Sequence, residues 1–567
     1  MQEIFRALLV VFVIALGVFW FAKTALTETA IAPQDFDRRR NLWLWLTLAL
    51  FLSHNFWVFM AISAGLLLVG ARQEKNLVAL LFSLVLAVPL IDAQLPALGL
   101  VNYLFELNFM RLFSLLVLFP AFLLLRRQPG TAALGSNYAE RFVLGYLLLL
   151  FALQLPPGNI TSALRFGFLL FVDIFLPYYI ASRSLKTLQD FRDALASLVL
   201  VAAVMGVIGL FEYLKGWLLY SNIAGALDAS WSLGQYLSRG TSLRALANTG
   251  QPLVLGFVLA VALCAYLFVR ESISSPKMRT LGLLGLLLVL VAPLSRGPWV
   301  GALSGYLVFW LLGPQGLRTV SKKGAMGLGL LLLAMLSPFG AALIDHLPFV
   351  GTVDSQNVVF RADLLSASLK VIARNPLLGT LDYYSAPELE ALRWGGDNGI
   401  IDIVNSYIAI ALGSGLIGLG LFVGFVLCVV YGVFGAMRGA ASLDPEIPLL
   451  GRALLAAMAC TVITIYTVSS LSFIPIVYWV IFGMGVSYQA LVQLHTKVKP
   501  IAANPLGQLS LGRPAPRRRA APAARERSID PRREIALFPD ATRKMPLFDE
   551  ATREMPLDYE AAPPLRE

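Results

Sequence analysis

Apolar stretches of roughly 20 residues recur from the start of the chain to about position 492, and short polar segments separate them. Each stretch is long enough to cross about 30 Å of hydrocarbon as a helix. The pattern predicts an all-α polytopic integral membrane protein with about 14 transmembrane helices, within a range of about 13 to 15. A helical periplasmic loop and a disordered cytoplasmic tail are expected to complete it.

The first predicted span is Ile4 to Ala22, which we interpret as uncleaved. Leu42 to Ala71 forms one long span, or two if the chain turns near His54 and Asn55. Beyond residue 75, spans are predicted near 76–93, 109–125, 142–155, 167–181, 194–214, 252–269, 281–295, 298–312, 325–344, 404–431, 452–468 and 475–491.

These spans divide the chain into five predicted parts. They are N-terminal transmembrane segments (1–75), a transmembrane bundle (76–344), a periplasmic loop with an amphipathic helix (345–403), C-terminal transmembrane helices (404–495) and a basic tail (496–567).

Composition agrees with this division, because 58% of the 567 residues are hydrophobic and 14% are charged. A soluble enzyme is excluded. The net charge is +11, and the basic residues gather in short loops such as Arg270 to Arg279 and Arg318 to Lys323. The positive-inside rule places these loops and the C-terminus in the cytoplasm. Loops 215–251 and 345–403 then face the periplasm.

The tail from Thr496 is rich in proline, alanine and arginine, which predicts disorder. It ends in a tandem ten-residue repeat, Phe538 to Leu547 and Phe548 to Leu557. The repeat is a candidate docking motif for an envelope-assembly protein, and the alternative is a recent duplication without function. The basic stretch that precedes the repeat, which includes Arg517, Arg518 and Arg519, is expected to contact anionic membrane lipids.

Cysteines and histidines show no ligand spacing, so neither a metal nor another cofactor is expected. Nucleic acid is not expected as a partner. Few ionisable residues lie inside spans; Asp173 is one of them. A coupled transporter usually places several carboxylates near the midplane, and the sequence lacks that pattern.

Seven arginines instead fall on the predicted outer side, where the positive-inside rule disfavours them. A guanidinium group binds phosphate through two parallel donors, so this set suits a lipid-linked diphosphate. Snorkelling to the interface is the alternative for each residue alone. The seven are Arg165, Arg239, Arg244, Arg296, Arg361, Arg374 and Arg393.

The 345–403 loop contains a predicted amphipathic helix that starts near Val358 and ends at Arg374. Its apolar positions recur at helical spacing, and Asn375-Pro376 followed by Gly379 is typical of a helix end. Those apolar positions are Leu364, Leu365, Leu369 and Ile372. Arg361 falls in the first turns of this helix.

Three elements in this order resemble the O-antigen ligase and Wzy polymerase superfamily of bacterial envelope glycosyltransferases. They are Ser295-Arg296-Gly297, then Arg361 through Asn375-Pro376-Leu-Leu-Gly379, then Val404-Asn405 followed after nine residues by Gly415-Leu-Ile-Gly418. A weaker fourth element is Leu243-Arg244-Ala through Pro252-Leu. The elements cover about 240 to 430.

This resemblance implies transfer of a glycan from undecaprenyl diphosphate to a glycan acceptor hydroxyl at the periplasmic face of the bacterial inner membrane. Valine occupies position 404, where the family carries histidine, and this favours a repeat-unit polymerase over an O-antigen or protein O-glycan ligase. The resemblance and the charges select three sets of residues. The candidates for binding the diphosphate are Arg296, Arg361, Arg244 and Arg165. The candidate catalytic bases are Asp402, Asp397, Glu212 and His346, and the supporting motif residues are Asn405, Tyr407, Gly415 and Gly418.

Two other functions are open at this point. The number of spans also suits a flippase or transporter for a lipid-linked oligosaccharide. The repeated tail also suits a scaffold that recruits envelope enzymes.

Overall fold

A computed structural model describes residues 2–27, 29–96, 102–155, 160–229, 231, 233–239, 241–335, 355–393 and 401–498. The predicted disordered tail, apart from its first residues 496–498, lies outside this part of the chain. The principal helices are α1 (Gln2–Leu26), α2 (Pro33–Leu52), α3 (Phe56–Ala71), α4 (Leu77–Val85), α5 (Phe109–Arg127), α6 (Tyr138–Leu153), α7 (Ile160–Ala181), α8 (Leu188–Lys215), α9 (Pro252–Val269), α10 (Pro276–Val289), α11 (Arg296–Leu311), α12 (Gly316–Met335), α13 (Ser355–Arg374), α14 (Ser406–Gly439), α15 (Glu446–Thr467) and α16 (Ile474–Val498).

Eight helices within the described residues are long and apolar enough to cross a membrane. They are α1, α5, α7, α8, α9, α14, α15 and α16. The protein is therefore a mostly helical membrane protein, as predicted. These eight helices do not confirm the predicted total of about 14.

Two of the expected spans differ from one continuous helix in the structure. Leu42 to Ala71 is divided between α2 and α3, and the side-chain oxygen of Asn55 accepts hydrogen bonds from the Trp57 and Val58 amides at the start of α3. The turn predicted near His54 and Asn55 is present. In contrast, the helix expected over 76–93 is shorter than predicted, because α4 ends at Val85, shortly before Pro89. All nine α4 side chains are buried within the bundle.

Two short antiparallel hairpins depart from the all-helical expectation. Strand β1 (Ala93–Pro96) pairs with β2 (Tyr103–Leu107), and β3 (Ser238–Arg239) pairs with β4 (Ser242–Leu243). Both lie in connections between helices. Strands this short carry too little alternation for sequence to reveal them.

Helices α11 and α15 pack closely and run in opposite directions. A methyl group added at Gly301 would lie 2.9 Å from the Cys460 carbonyl oxygen, and one at Gly305 would lie 2.7 Å from that of Ala456. Small residues at four-residue spacing allow this approach, as they do in other membrane helix pairs. The N-terminal end of α11 therefore lies beside Thr467, and its C-terminal end beside Arg452.

Charged side chains inside the bundle form ion pairs. Arg39 contacts Glu74 at 2.7 Å and Asp193 at 2.6 Å, which joins α2 to α8. The mid-span Asp173 contacts Arg111 at 3.0 Å. Such pairing offsets the cost of placing charge in an apolar environment. These residues therefore have a role in holding helices together.

Helix α13 confirms the helix predicted in the long loop. Its buried side is formed by Leu364, Ala367, Ser368 and Val371, which face a small separate core with Leu389, Ile401, Ile403 and Leu412. The predicted stripe is wrong at Leu365 and Leu369, which are 44% and 56% exposed. Ala367 and Ser368 take buried positions that the leucine pattern alone did not indicate.

Candidate functional site

The segment from Pro376 to Gly379 docks into a break in α14. Gly415 interrupts that helix with φ 65° and ψ −170°. The amides of Leu416 and Ile417 donate to the carbonyls of Pro376 and Leu377 at 2.8 and 3.2 Å, and the Thr380 amide donates to Leu412 at 2.7 Å. Hydrogen bonds lost at the break are thus replaced by the docked segment, as backbone groups within a membrane protein require.

Glycine is needed on both sides of this contact. A methyl group at Gly415 would lie 2.5 Å from the Leu378 nitrogen, and one at Gly379 would lie 2.6 Å from the Gly415 nitrogen. Both glycines also have positive φ. Gly418, one turn further along α14, leaves room for the side chain of Ser414. The Pro376–Gly379 segment and the Gly415–Gly418 segment, which are separate motifs in the sequence, therefore pack against each other through their backbones.

Asn405 and Tyr407 hold the start of α14. The Asn405 side-chain oxygen accepts hydrogen bonds from the Tyr407 and Ile408 amides at 2.9 and 3.2 Å. This is an N-cap, which satisfies amides that have no partner within the helix. The Tyr407 hydroxyl donates to the Val462 carbonyl at 3.1 Å, joining α14 to α15. Both residues position their neighbours.

The 467–472 segment joins α15 to α16 and is the point at which the candidate residues meet. Ser406 donates to the Val468 carbonyl at 2.9 Å and is 2.7 Å from the Ser470 hydroxyl. The Ser469 hydroxyl lies 2.7 Å from Asp402 Oδ1 and 3.0 Å from the Ile403 carbonyl oxygen, so its single proton is within reach of both acceptors. None of the residues of this segment is among the site residues predicted from the sequence. Its signal is the hydroxyl-rich run Thr467-Val-Ser-Ser-Leu-Ser472 between two apolar spans.

Arg296 and Arg361 border the same segment. Arg361 donates through Nη2 to the Thr467 carbonyl at 3.2 Å. Arg296 begins α11, and the following Gly297 packs directly against the side chains of Thr467 and Val468. Partial removal from solvent lowers the pKa of Arg361, and the nearby Asp402 carboxylate opposes that shift. The structure thus brings Arg361 and Asp402 together at this segment, and it places the start of α11, at Arg296, beside the same segment.

Arg244 supports the turn that leads into Arg296. It donates to the Pro293 carbonyl at 3.3 Å and to the Ser295 hydroxyl at 3.1 Å, while Arg239 donates to the Leu294 carbonyl at 2.5 Å. This turn carries a positive φ of 48° at Leu294. Arg244 therefore contacts Ser295, the residue that precedes Arg296. Its contacts fix the direction in which α11 begins.

Three other predicted arginines contact different parts of the loop region. Arg165 donates to the carbonyls of Tyr103 and Leu104 at 2.7 and 2.8 Å and supports strand β2. Arg374 pairs with Glu388, and Arg393 pairs with Glu390. The seven outer arginines therefore do not form a single cluster.

Glu212 does not have the exposure that a catalytic base needs. It is fully buried, and its carboxylate accepts hydrogen bonds from the amides of Leu219, Leu246 and Ala247 at 3.0, 3.1 and 2.7 Å. These bonds hold the chain on both sides of β3 and β4 against α8. Asp402 is exposed. The candidates His346 and Asp397 lie outside the described residues.

Replacing Glu212 by glutamine is expected to destabilise the protein by about 1 to 3 kcal/mol, because an amide group has one acceptor oxygen and turns N–H donors towards backbone amides. Thermal unfolding of the purified protein measures this change. The exposed Glu390, whose partner is Arg393, supplies the control, and Glu390→Gln should melt close to wild type. Equal melting of both variants would contradict a structural role for Glu212.

In the part of the chain that the structure describes, no three histidine, cysteine, aspartate or glutamate side chains are grouped so that they would hold a metal ion. The chain matches no known protein-family model, and a search of curated proteins finds no match either.

Proposed function

We propose that the protein is a membrane glycosyltransferase similar to O-antigen polymerases and ligases, with repeat-unit polymerase as the favoured activity. It would move a glycan from undecaprenyl diphosphate to an acceptor hydroxyl at the periplasmic face of the bacterial inner membrane. The observation that carries this proposal is the meeting of Arg361, Asp402 and the Arg296 turn at the 467–472 segment.

In the proposed reaction, the acceptor oxygen forms a bond to the anomeric carbon of the donor sugar. The bond from that carbon to the phosphate oxygen breaks, and its electron pair leaves with the diphosphate. Arg296 and Arg361 offer positive charge where the negative charge of the leaving diphosphate increases, which favours the transition state.

Asp402 is the proposed base that takes the proton from the acceptor hydroxyl. The hydrogen bond from Ser469 fixes one carboxylate oxygen, and the buried neighbours Ile401 and Ile403 fix the backbone on both sides. A base held in this way is prepared for proton transfer. Asp397 and His346 are alternatives on the same predicted loop.

The preference for a polymerase rests on position 404. Val404 packs against the small apolar core beneath α13, together with Phe360 and Ile408. A histidine that served the reaction would need a polar surrounding at this position. The proposal therefore assigns proton transfer to Asp402 and not to residue 404.

The orientation that this function needs is also proposed. The 467–472 segment would face the periplasm, the C-terminus would face the cytoplasm, and about 14 helices would cross the membrane. The Lys and Arg residues of 270–279 and of 318–323, the latter within α12, support this orientation. Arg270 and Lys323 contact Trp310 at the C-terminal end of α11, the end opposite to Arg296.

Removing the gene from its native host tests the proposed function. Undecaprenyl-diphosphate-linked repeat units should then reach the periplasmic leaflet and accumulate without polymerisation, while surface or secreted polysaccharide is lost. Lipid extracts analysed by mass spectrometry, with a periplasmic labelling reagent for exposed sugars, separate the outcomes. Units that stay in the cytoplasmic leaflet would indicate a flippase, and unchanged polysaccharide would refute both functions.

A further inference from the structure

Three cationic side chains meet at the C-terminal end of α11. The ammonium group of Lys323 in α12 lies 3.5 Å from the centre of the Trp310 ring. The guanidinium carbons of Arg270, which follows α9, and of Arg452 in α15 lie 5.8 and 5.9 Å from the same ring. These four residues are here named the Trp310 cluster.

The indole ring and a helix end account for part of this arrangement. Cations are attracted to the face of an indole ring. Arg452 also donates from Nε and Nη2 to the Phe309 carbonyl at 3.1 and 2.9 Å, in the last turn of α11, where carbonyls lack helical partners. These contacts attract each cation separately. They do not remove the repulsion among three like charges.

Carboxylates close to the cluster do not balance its charge. Glu271 contacts Arg270 at 3.0 Å and Arg279 at 3.3 Å, so two arginines share one carboxylate. Across the described ranges, neither Lys323 nor Arg452 has a carboxylate within ion-pair distance. The cluster and Arg279 therefore carry a surplus of positive charge over Glu271.

A phosphate group has the negative charge that would balance this surplus, and its oxygens suit the donors of the cluster. Its oxygens accept hydrogen bonds from guanidinium and ammonium groups at the same time, and Arg270 and Arg452 offer planar donors while Lys323 offers a point charge. Basic pockets between membrane helices bind lipid headgroups in this way. In the proposed membrane orientation, the ends of α9 and α11 would lie at the level of the lipid headgroups.

The cluster is separate from the candidate site at the 467–472 segment. Arg296 and Trp310 are the first residue and the penultimate residue of α11, so their backbones are roughly 21 Å apart along the helix at 1.5 Å per residue. A substitution in the Trp310 cluster therefore does not directly contact the candidate site at the 467–472 segment.

We propose that the Trp310 cluster binds the phosphate group of an anionic membrane lipid. The lipid would join α9, α11, α12 and α15 at one end of the bundle. It would offset the repulsion among Arg270, Lys323 and Arg452 and so stabilise the close pairing of α11 with α15.

Lipid titration of the purified full-length chain tests this site. Phosphatidylglycerol is added to the protein in a neutral detergent, phosphatidylcholine with the same acyl chains is added in parallel, and the unfolding temperature is followed. Phosphatidylglycerol should raise it more. Lys323→Gln should weaken the apparent affinity about fivefold, which corresponds to about 1 kcal/mol for one basic residue near a membrane surface.

Lys322→Gln is the matched control, because Lys322 precedes Lys323 on the same helix and is exposed. It should keep the wild-type affinity, and Lys323→Arg should retain most of it. Unchanged affinity in Lys323→Gln would overturn the site. An equal response to phosphatidylcholine, which carries a phosphate but no net charge, would overturn the assignment to an anionic lipid. An equal stabilisation by inorganic phosphate alone would overturn the assignment to a lipid.

Discussion

Arg361→Ala is expected to reduce polymer synthesis about 100- to 1,000-fold, the range found when one charge-stabilising donor is removed from an active site. The physical reason is that Arg361 is held beside the 467–472 segment by its bond to the Thr467 carbonyl, with Asp402 nearby. Loss of its charge would leave the departing diphosphate less stabilised. Polysaccharide from the native host, separated on gels, measures the effect.

Arg374→Ala is the matched control for this experiment. Arg374 ends the same helix, carries the same charge and pairs with Glu388 away from Asp402. Its variant should make polymer of wild-type length and amount. Arg296→Ala should resemble Arg361→Ala, because Arg296 borders the same segment from α11. Wild-type polymer from both Arg296→Ala and Arg361→Ala, with each protein present in the membrane, would refute the proposed diphosphate site.

Gly415→Ala is expected to destabilise the protein by about 3 kcal/mol or more. Its φ of 65° and ψ of −170° lie in a region that essentially only glycine occupies, which costs about 1 to 3 kcal/mol for another residue. The added methyl group would also overlap the backbone of the docked segment, 2.5 Å from the Leu378 nitrogen. Separating that segment would expose the amides of Leu416 and Ile417. The unfolding temperature in detergent measures the loss.

Gly420→Ala on the same helix is the matched control, because space is open beside Gly420. Apart from the adjacent residues and the backbone of α14 itself, no atom lies within 4 Å of a methyl group at Gly420. Alanine has the higher helix propensity, by about 1 kcal/mol, so this variant should be as stable as wild type or slightly more stable. Similar unfolding temperatures for Gly415→Ala and Gly420→Ala would show that the contact between Gly415 and the docked segment contributes little.

The helices could be predicted because apolar length and helix-ending residues are local properties. Helix α13 ends at Arg374, just before Asn375-Pro376, and α3 begins after Asn55, as those residues indicate. The length of α4 could not be predicted in the same way. Its apolar run continues beyond Val85 to Val88, and the helix nevertheless ends at Val85, four residues before Pro89.

The grouping of site residues depended on contacts that sequence does not contain. Arg296, Arg361 and Asp402 are far apart in the chain, and the 467–472 segment that joins them carries no charge. Glu212 looked like a candidate base because it is a carboxylate near a helix end. Its three partners are backbone amides of Leu219, Leu246 and Ala247, and backbone partners leave no signal in side-chain identity.

The break at Gly415 also bears on the order in which the chain is assembled. A helix that enters hydrocarbon with the Leu416 and Ile417 amides unpaired would lose several kcal/mol for each one. Their partners, the carbonyls of Pro376 and Leu377, precede α14 in the chain and are therefore synthesised first. The order of synthesis thus supplies the acceptors before the donors, so the segment that pairs with the break is already present when α14 is made.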